Sequence, residues 1–512
     1  MNQFTLTTSI AYPNAKPHIG YALELVQADF MARYHRLQGD SVYFLTGVDE
    51  HGLKIQRAAD KEQVSPQEYV DAQANNFQVL LNALGTSQDR FIRTTEPDHK
   101  LMAQALWKMC LANGDIYQKQ YRAWYDVKEE EFLGLVDEHP DPSVFATKPE
   151  FIEQIDELNY FFRLSKYSET LSGLLRSGEL KVSPASRCEE LLNFIGDGLQ
   201  DVSISREKRR LSWGVEVPGD EESVMYVWFD ALSNYLTATC TIDDRGIIIP
   251  TEKWPAALHI VGKDIQRFHA ILWPAMLLSA DLPLPREVLA HGFIAVHGQK
   301  ISKSLGNAVD PLPLIEHYGA DALRWYVLAE ISTTQDGDYT EEHFAEVYRA
   351  DLMNDLGNLV SRVWSMAQKY CEGKVPQVPL ELVQNVEEAI VAETWGNYYD
   401  SIDHRDIKAA LDAVSNLLSF CNRRIEEQKP WAMAKDPFKA EELDIFLYEL
   451  LETIRQIALM LLPVLPTTAA RIFTEVLAIP LPESFSESTW GGLTPGALLG
   501  TEQTILFPRL DD

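Results

Sequence analysis

Two short stretches of the chain carry residue types suited to holding phosphate. The first is "AYPNAKPHIGYALE", Ala11 to Glu24. It puts His18 and Gly20 where an extended segment gives way to a helix. A helix N-terminus offers unpaired backbone N–H groups and about half a positive charge, which suits an anion. Gly20 lets such a guest come close, and His18 can donate a hydrogen bond to it. The second stretch is "HGQKISKSLGNAVDP", His297 to Pro311. Lys300 and Lys303 bracket Ser302, Ser304 follows, and Gly298 and Gly306 lie outside. Two lysines and two hydroxyls in a glycine-flanked loop suit a polyphosphate whose charge rises during reaction. Taken singly, the first stretch also reads as a capped helix with an incidental histidine, and the second as a solvated basic loop.

The elements around them must do the positioning. "FTLTTSI", Phe4 to Ile10, alternates like a strand, and Leu23, Val26, Phe30, Tyr34 and Leu37 recur at helical spacing. "VYFLTG", Val42 to Gly47, is strand-like again. Strand, helix, strand is a βαβ unit and predicts a parallel sheet, whose ligands lie at the carboxyl ends of the strands. Tyr12 to Gly20 and Gly47 to Gly52 fall at such ends. From about Gly114 to Asp220 the texture changes: acids crowd Lys128 to Pro142, then Glu157 to Tyr167 is aromatic. This reads as an insertion. Parallel texture returns with "SVMYVWFDAL" and "ALHIVGKDI". Beyond about Thr340 the pattern is helical, as in a bundle. The expected division is 1–113 and 223–339 for a split α/β domain, 114–222 for the insertion and 340–512 for the bundle.

Composition bounds the rest. With 512 residues, 46% hydrophobic and 24% charged, the chain has the profile of a globular protein with a large core. The first residues lack the charge and apolar run of a signal peptide, and no apolar run is long enough to cross a bilayer. The expected compartment is the cytoplasm. The five cysteines are scattered, with no Cys-x-x-Cys to hold zinc or run redox chemistry. The formal net charge of −31 argues against nucleic acid as a partner unless a local basic track sits on the acidic body.

Together, His18-Ile19-Gly20-Tyr21 and Lys300-Ile301-Ser302-Lys303-Ser304 resemble the two signature sequences of class I aminoacyl-tRNA synthetases. Those are a His-Ile-Gly-His opening the first helix and a Lys-Met-Ser-Lys-Ser loop late in the catalytic domain. Six ordered blocks narrow the resemblance to the methionyl-tRNA synthetase family: "FLTGVDEHGLKIQ", "DGLQDVSISR", "YVWFDALSNYL", "HIVGKDIQRFHAILWPAML", "DALRWYVLAE" and "DLGNLVSR". The resemblance implies a Rossmann-like parallel-sheet catalytic domain with an inserted connective domain, followed by an all-α anticodon-binding bundle. It implies ligation of methionine to tRNA through methionyl-adenylate, with ATP and its Mg2+ as substrate. By motif, Tyr12, Asp49, Trp228, Ala231, Leu232, Tyr235, Ile265 and His269 would form the methionine pocket, with Asp49 on the ammonium. His18, Gly20, Gly262, Asp264, Lys300, Ser302 and Lys303 would bind ATP, and His18, Lys300 and Lys303 would serve catalysis. Asn358, Arg362 and Trp431 would read the anticodon, with Arg349, Lys369, Arg423, Arg424 and Lys429 as a basic track.

The chain departs from that family in three places. Tyr21 stands where the second histidine of the first motif would be; a phenol can still donate to phosphate but stays neutral. Asp126 and Glu129 stand where many relatives have a zinc-binding Cys-x-x-Cys, and acids alone at that spacing make a poor zinc site, so no structural zinc is expected. The chain stops at Asp512, soon after the bundle, so a monomer is expected. The expected partners are methionine, ATP and tRNA, with no DNA and no membrane. Two rival readings follow from Tyr21 and the net charge: a paralogue forming an aminoacyl-adenylate for a non-tRNA acceptor, and a non-catalytic tRNA-binding relic. Asn358, Arg362 and Trp431 argue against the first, and the intact Lys300–Ser304 run against the second.

Overall fold

The computed structural model describes residues 2–126, 131–136, 141–145, 147–301, 306–379 and 386–510. Its centre is a six-stranded, all-parallel sheet in the order Arg90–Arg93, Ser41–Val48, Gln3–Ala11, Leu258–Gly262, Glu287–His291, Lys181–Ser183. The strand order reverses next to Gln3–Ala11, so the crevice beside its carboxyl end is open to a ligand. Leu258–Gly262 and Glu287–His291 are buried throughout, as strands covered on both faces are. The expected parallel sheet is present, built from both halves of the split domain.

Between the halves lies a separate antiparallel sheet of Glu131–Leu135, Ile116–Asp126, Ile152–Phe162 and Val202–Ser203. It begins two residues after Gly114, where the texture of the sequence changes. One strand inside the expected insertion, Lys181–Ser183, pairs in parallel with Glu287–Leu289 and forms the edge of the main sheet. Three residues are too few to show a period, so the sequence gives no sign of it.

The carboxyl-terminal region is helical: Asn358–Tyr370, Val386–Asp403, Ile407–Gln428 and Ala440–Leu461, then Pro466–Arg471. Every residue from Phe446 to Leu461 is buried, Glu449, Glu452 and Arg455 included. Such charges must be paired. Glu452 accepts from Arg455 and from the backbone of Gly491, Gly492 and Leu493, so the last segment of the chain is clasped against this helix.

The first helix, Ile19–Leu37, packs between the sheet and this region. Asp29, fully buried at its middle, accepts from Arg33, from the backbone N–H and hydroxyl of Ser87, and pairs with Arg324 at 2.7 Å. Arg324 is also fully buried and donates to the carbonyls of Pro463 and Val464, just past the end of the long helix. Burial pushes the Asp29 carboxyl up, but the guanidinium groups of Arg324 and Arg33 outweigh it and hold the group below its ordinary range. Removing one partner of a buried pair strands the other charge. Arg324→Met is therefore expected to cost about 3–5 kcal/mol, read as a lower urea midpoint at unchanged slope. Because the folded pKa of Asp29 is depressed, its contribution is full at neutral pH and disappears as pH falls through that pKa. The acid dependence of the midpoint should be weaker in the variant.

Candidate active site

The first helix opens as the sequence suggests. His18 is its N-cap, in extended conformation (φ −124°, ψ 174°), and its Nδ1 accepts from the Gly20 N–H at 3.1 Å. A neutral ring with Nδ1 as acceptor carries its proton on Nε2, which makes that nitrogen a donor. Gly20 is required here because a Cβ would lie 2.9 Å from His18 Cε1. One expectation needs correcting. The first-turn N–H groups are not left unpaired: Ile19 donates to Val309 O at 2.9 Å, Gly20 to His18, and Tyr21 and Ala22 to His18 O. What this terminus offers an anion is its dipole and the His18 ring.

Tyr21 does not face the mouth of the site. It is buried, packs edge-on against Phe77 at 5.0 Å, and its hydroxyl stands 3.5 Å from Thr46 Oγ1 on the neighbouring strand. Burial pushes its phenol above its ordinary range. The residue at this position fills core rather than presenting a donor to phosphate.

The second motif lies against the first. Strand Ile294–Val296 turns through His297 (φ 51°) and Gly298 (φ 71°) into Gln299–Lys300. A two-residue turn with both φ values positive matches the twist of a tight hairpin. Lys300 is thus delivered on a short ribbon, with its Nζ 5.1 Å from the Phe293 ring centre and Lys263 Nζ 4.7 Å from the same ring. Ile301 Cδ1 comes within 4.0 Å of the position a Gly20 Cβ would take. Past the loop, Val309 O holds the Ile19 N–H. Ser302 and Lys303 lie outside the described residues.

At the next strand end, Gly262 pairs with His291 across the sheet. A Cβ on Gly262 would fall 2.8 Å from Asp264 Oδ1 and 3.9 Å from His291 Nε2, so the two side chains converge on bare backbone. Asp264 itself is exposed.

The aromatic and aliphatic residues expected to line a pocket come together in one packed group. Trp228 stacks on Phe268 at 3.8 Å and 5° and stands edge-on to His269. Leu232 and Tyr235 are buried in the same core, with Ile265 against it, and Ala231 lies inside the helix Val227–Leu232. Tyr235 OH lies 2.8 Å from His269 Nε2, and His269 Nδ1 lies 3.0 Å from the Ile265 carbonyl. A carbonyl only accepts, so Nδ1 carries the proton and Nε2 accepts from Tyr235. Burial pushes His269 down to about 4, which keeps an apolar wall free of charge near neutral pH. Tyr12 sits beyond the adjacent strand end, packed on the cluster of Ile55, Ala59, Tyr69 and Val70. Asp49 is buried, and its N–H donates to Ala11 O, tying the two strand ends together.

Asp230, His99 and Arg206, which sequence reasoning did not single out, hold this arrangement. Asp230 is fully buried and lies 2.6 Å from His51 Nδ1 and 2.7 Å from His99 Nε2. Burial raises its pKa, and the two imidazoles more than offset that. Asp230 is two positions after Trp228 and His51 two after Asp49, so this link joins the loop of Asp49 to the helix of Trp228. Arg206 is the third. Its guanidinium lies 4.5 Å from the Tyr226 ring centre and 5.6 Å from that of Tyr125. It lines a partly open cavity of about 30 Å3 with Gly52, Val227 and Glu157. The signal was present in "DVSISR" and "WFDAL", but a lone Asp or Arg in a block does not say which partner it meets.

A second surface lies on the helical region. Ser361, Arg362, Ser365, Met366 and Tyr370 follow one face of their helix and line, with Trp431, an open cavity of about 260 Å3. Trp431 is 40% exposed and follows Lys429, whose left-handed φ of 49° turns the chain out of the preceding helix. Asn358 is exposed one turn before Arg362, outside the cavity lining. Two residues of the basic track pair with acids, Arg423 with Glu427 at 4.0 Å and Arg424 with the buried Glu387 at 2.7 Å, and Arg362 pairs with Glu426 at 2.6 Å. Arg424 is thereby turned inward, away from any phosphate.

A family profile described as "tRNA synthetases class I (M)" matches residues 4–137 and 135–364. The chain is 41% identical over 517 residues to a methionine–tRNA ligase of Brucella suis biovar 1 (strain 1330), covering 99% of this chain and 98% of the relative. The chain belongs to the methionyl-tRNA synthetase family. It is also 41% identical to a methionine–tRNA ligase of Bacillus subtilis (strain 168), of which it covers 78%. Among solved structures it is similar to Mycobacterium tuberculosis methionyl-tRNA synthetase in complex with methionyl-adenylate, at a TM-score of 0.91 and 38% identity over 99% of this chain and 100% of that one. Against the apo form of the same enzyme the TM-score is 0.84 at 35% identity, over 100% of this chain and 99% of that one.

Among the described residues, no group of three or more His, Cys, Asp or Glu side chains is placed to hold a metal ion. Asp126 is buried and accepts from the Thr147 hydroxyl at 2.7 Å. Glu129 lies outside the described residues. Elemental analysis of the purified protein is expected to find no stoichiometric zinc, and a near-equimolar content would overturn that. For His269, NMR titration of the imidazole is expected to show a neutral ring until about pH 4. A folded pKa below the unfolded value of 6.5 means stability falls as pH drops from 6.5 towards 4. His269→Asn should flatten that part of the profile.

Proposed function

We propose that this chain activates methionine with ATP and transfers it to tRNA, as its membership of the methionyl-tRNA synthetase family implies. The methionine carboxylate attacks the α-phosphorus of ATP, the bond to the β-phosphate bridging oxygen breaks, and pyrophosphate leaves. A terminal ribose hydroxyl of tRNA then attacks the methionyl carbonyl and AMP leaves. Mg2+ enters with ATP as part of that substrate. No side chain becomes acylated; catalysis is positioning and stabilisation of charge.

The observation that carries this reading is the contact of the two motifs at one strand end, with Ile301 against Gly20 and Val309 holding Ile19. In this reading His18 Nε2 donates to the phosphates, and Lys300 and Lys303 follow the charge onto pyrophosphate. Gly262 gives the ribose room and Asp264 accepts from its hydroxyls. Asp49 pairs with the substrate ammonium in a half-dry cleft. The thioether meets Trp228, Tyr235, Leu232 and Ile265, since sulfur packs favourably on rings. The cavity between Arg362 and Trp431 has room for an unstacked base, with Trp431 as the platform and Arg362 as the donor fork. Arg362 must exchange Glu426 for the base to do so.

The separation of the two surfaces supplies the test. Trp431→Ala should leave methionine-dependent pyrophosphate exchange nearly intact, because that step needs only ATP and methionine. It should lower tRNA charging, since a lost base stack costs roughly 1–3 kcal/mol, on the order of 5- to 150-fold in kcat/KM. Lys303→Ala should abolish exchange itself. If Trp431→Ala charges tRNA like the parent, the helical region does not read the anticodon, and the reading as an adenylate-forming paralogue takes its place.

A further inference from the structure

His291 ends the strand beside Gly262, is 5% exposed, and takes no part in the reading above. Both its ring nitrogens face acceptors. Nδ1 lies 2.7 Å from the Gly292 carbonyl, and Nε2 lies 2.9 Å from Glu24 Oε2. A carbonyl cannot donate, so Nδ1 carries a proton. A carboxylate that also accepts from Ser9 Oγ at 2.6 Å on its other oxygen offers Nε2 nothing but an acceptor. With Glu24 ionised, both nitrogens must be protonated. Glu24 is itself 5% exposed and sits on the second turn of the helix that His18 caps. The pair therefore spans from that helix to the strand ends, directly beneath the Gly262 backbone, where a Cβ would be 3.9 Å from His291 Nε2.

We propose that His291 is a positioning residue for the ATP subsite: its imidazolium fixes Glu24 of the first helix against the Gly262–Asp264 strand end and keeps one positive charge beneath the nucleotide. This rests on the assignment of Gly262 and Asp264 to ATP. The charged form is favoured where it stands. Burial alone would lower the pKa of His291; the hydrogen bond and charge of Glu24, the Gly292 carbonyl and the charge of Asp264 outweigh it and raise it. The other charges around the site are Lys263, paired with Asp336 on the far side of Phe293, and Lys300 over the same ring. The phenols of Tyr21 and Tyr235, which lie near Glu24, stay neutral because burial raises both. Glu24 thus holds His291 towards its charged form.

The sign is fixed by that direction. A pKa raised on folding means the imidazolium is complete below 6.5 and is lost as pH rises through the folded value. Pyrophosphate exchange by the full chain should show kcat/KM for ATP falling on that alkaline limb, with KM for methionine flat. His291→Gln removes the charge while keeping one donor. It should raise KM for ATP about 10-fold, leave KM for methionine within about 2-fold, and abolish the alkaline limb. Glu24→Gln removes the counter-charge and should move the limb to lower pH, a shift that a purely structural role would not produce. Equal changes in both KM values, or a limb that survives His291→Gln, would overturn the proposal. Asp264→Asn serves as the control for the subsite. If it raises KM for ATP and His291→Gln does not, the inference about His291 fails alone. If neither variant changes KM for ATP, the ATP assignment fails and the inference falls with it.

Discussion

A carboxylate with no water around it must be given donors, and Asp230 is given two, from His51 and His99. Those two imidazoles come from different parts of the chain: a strand-end loop and the helix Pro97–Ala112. The interaction therefore fixes three elements at once, and the residues one or two places away from it are those that line the proposed methionine pocket. Trp228 can stack flat on Phe268, and Asp49 can stay buried beside the strand end, only while that loop and helix keep their relative position. The same carboxylate would be costly without its partners, which makes the arrangement all-or-none rather than adjustable.

The first helix transmits the same kind of constraint along its length. Its N-terminus is closed by His18 and by Val309 from beyond the lysine loop. Its second turn carries Glu24 to His291, and its middle carries Asp29 to Arg324 and so to the carbonyls at the end of the long bundle helix. A single rigid rod is thus bonded to both motifs, to the sheet and to the helical region. The surface expected to meet RNA is 40% exposed at Trp431 and is ringed by carboxylates that already hold its arginines. On a chain of net charge −31, an RNA that used Arg362 would have to displace Glu426 from it.

Much of this was legible in the linear chain. Period-2 alternation in Phe4 to Ile10, helical spacing from Leu23 to Leu37 and the Pro- and Asn-rich turn between them are local signals, and local signals survive without knowledge of partners. The second motif was legible as a glycine-flanked loop carrying two lysines, but the tight turn at His297 and Gly298 that presents Lys300 was not read from it. The helical carboxyl-terminal region was legible for the same reason. Lys181–Ser183 was not, because three residues carry no period and its place in the sheet comes from Glu287–Leu289, about a hundred residues later in the chain.

What the sequence determined by itself was which residue types stand at strand ends and helix starts, and hence that phosphate chemistry belonged there. What only the tertiary structure decided was the state of each group once its neighbours arrived. The first-turn N–H groups, expected to be open, are occupied because His18 and Val309 reach them. Tyr21, whose phenol could by type donate to phosphate, turns inward because Phe77 and Thr46 make a core position for its ring. Arg424 is spent on Glu387. Burial holds the pKa of His269 down while Glu24 raises that of His291, although both are buried histidines, because one faces a phenol and a carbonyl and the other a carboxylate and a carbonyl. Hydrogen-bond partners from other elements, up to 267 residues away for His291 and Glu24, fix protonation and orientation, and no local pattern in the chain encodes which of them will meet.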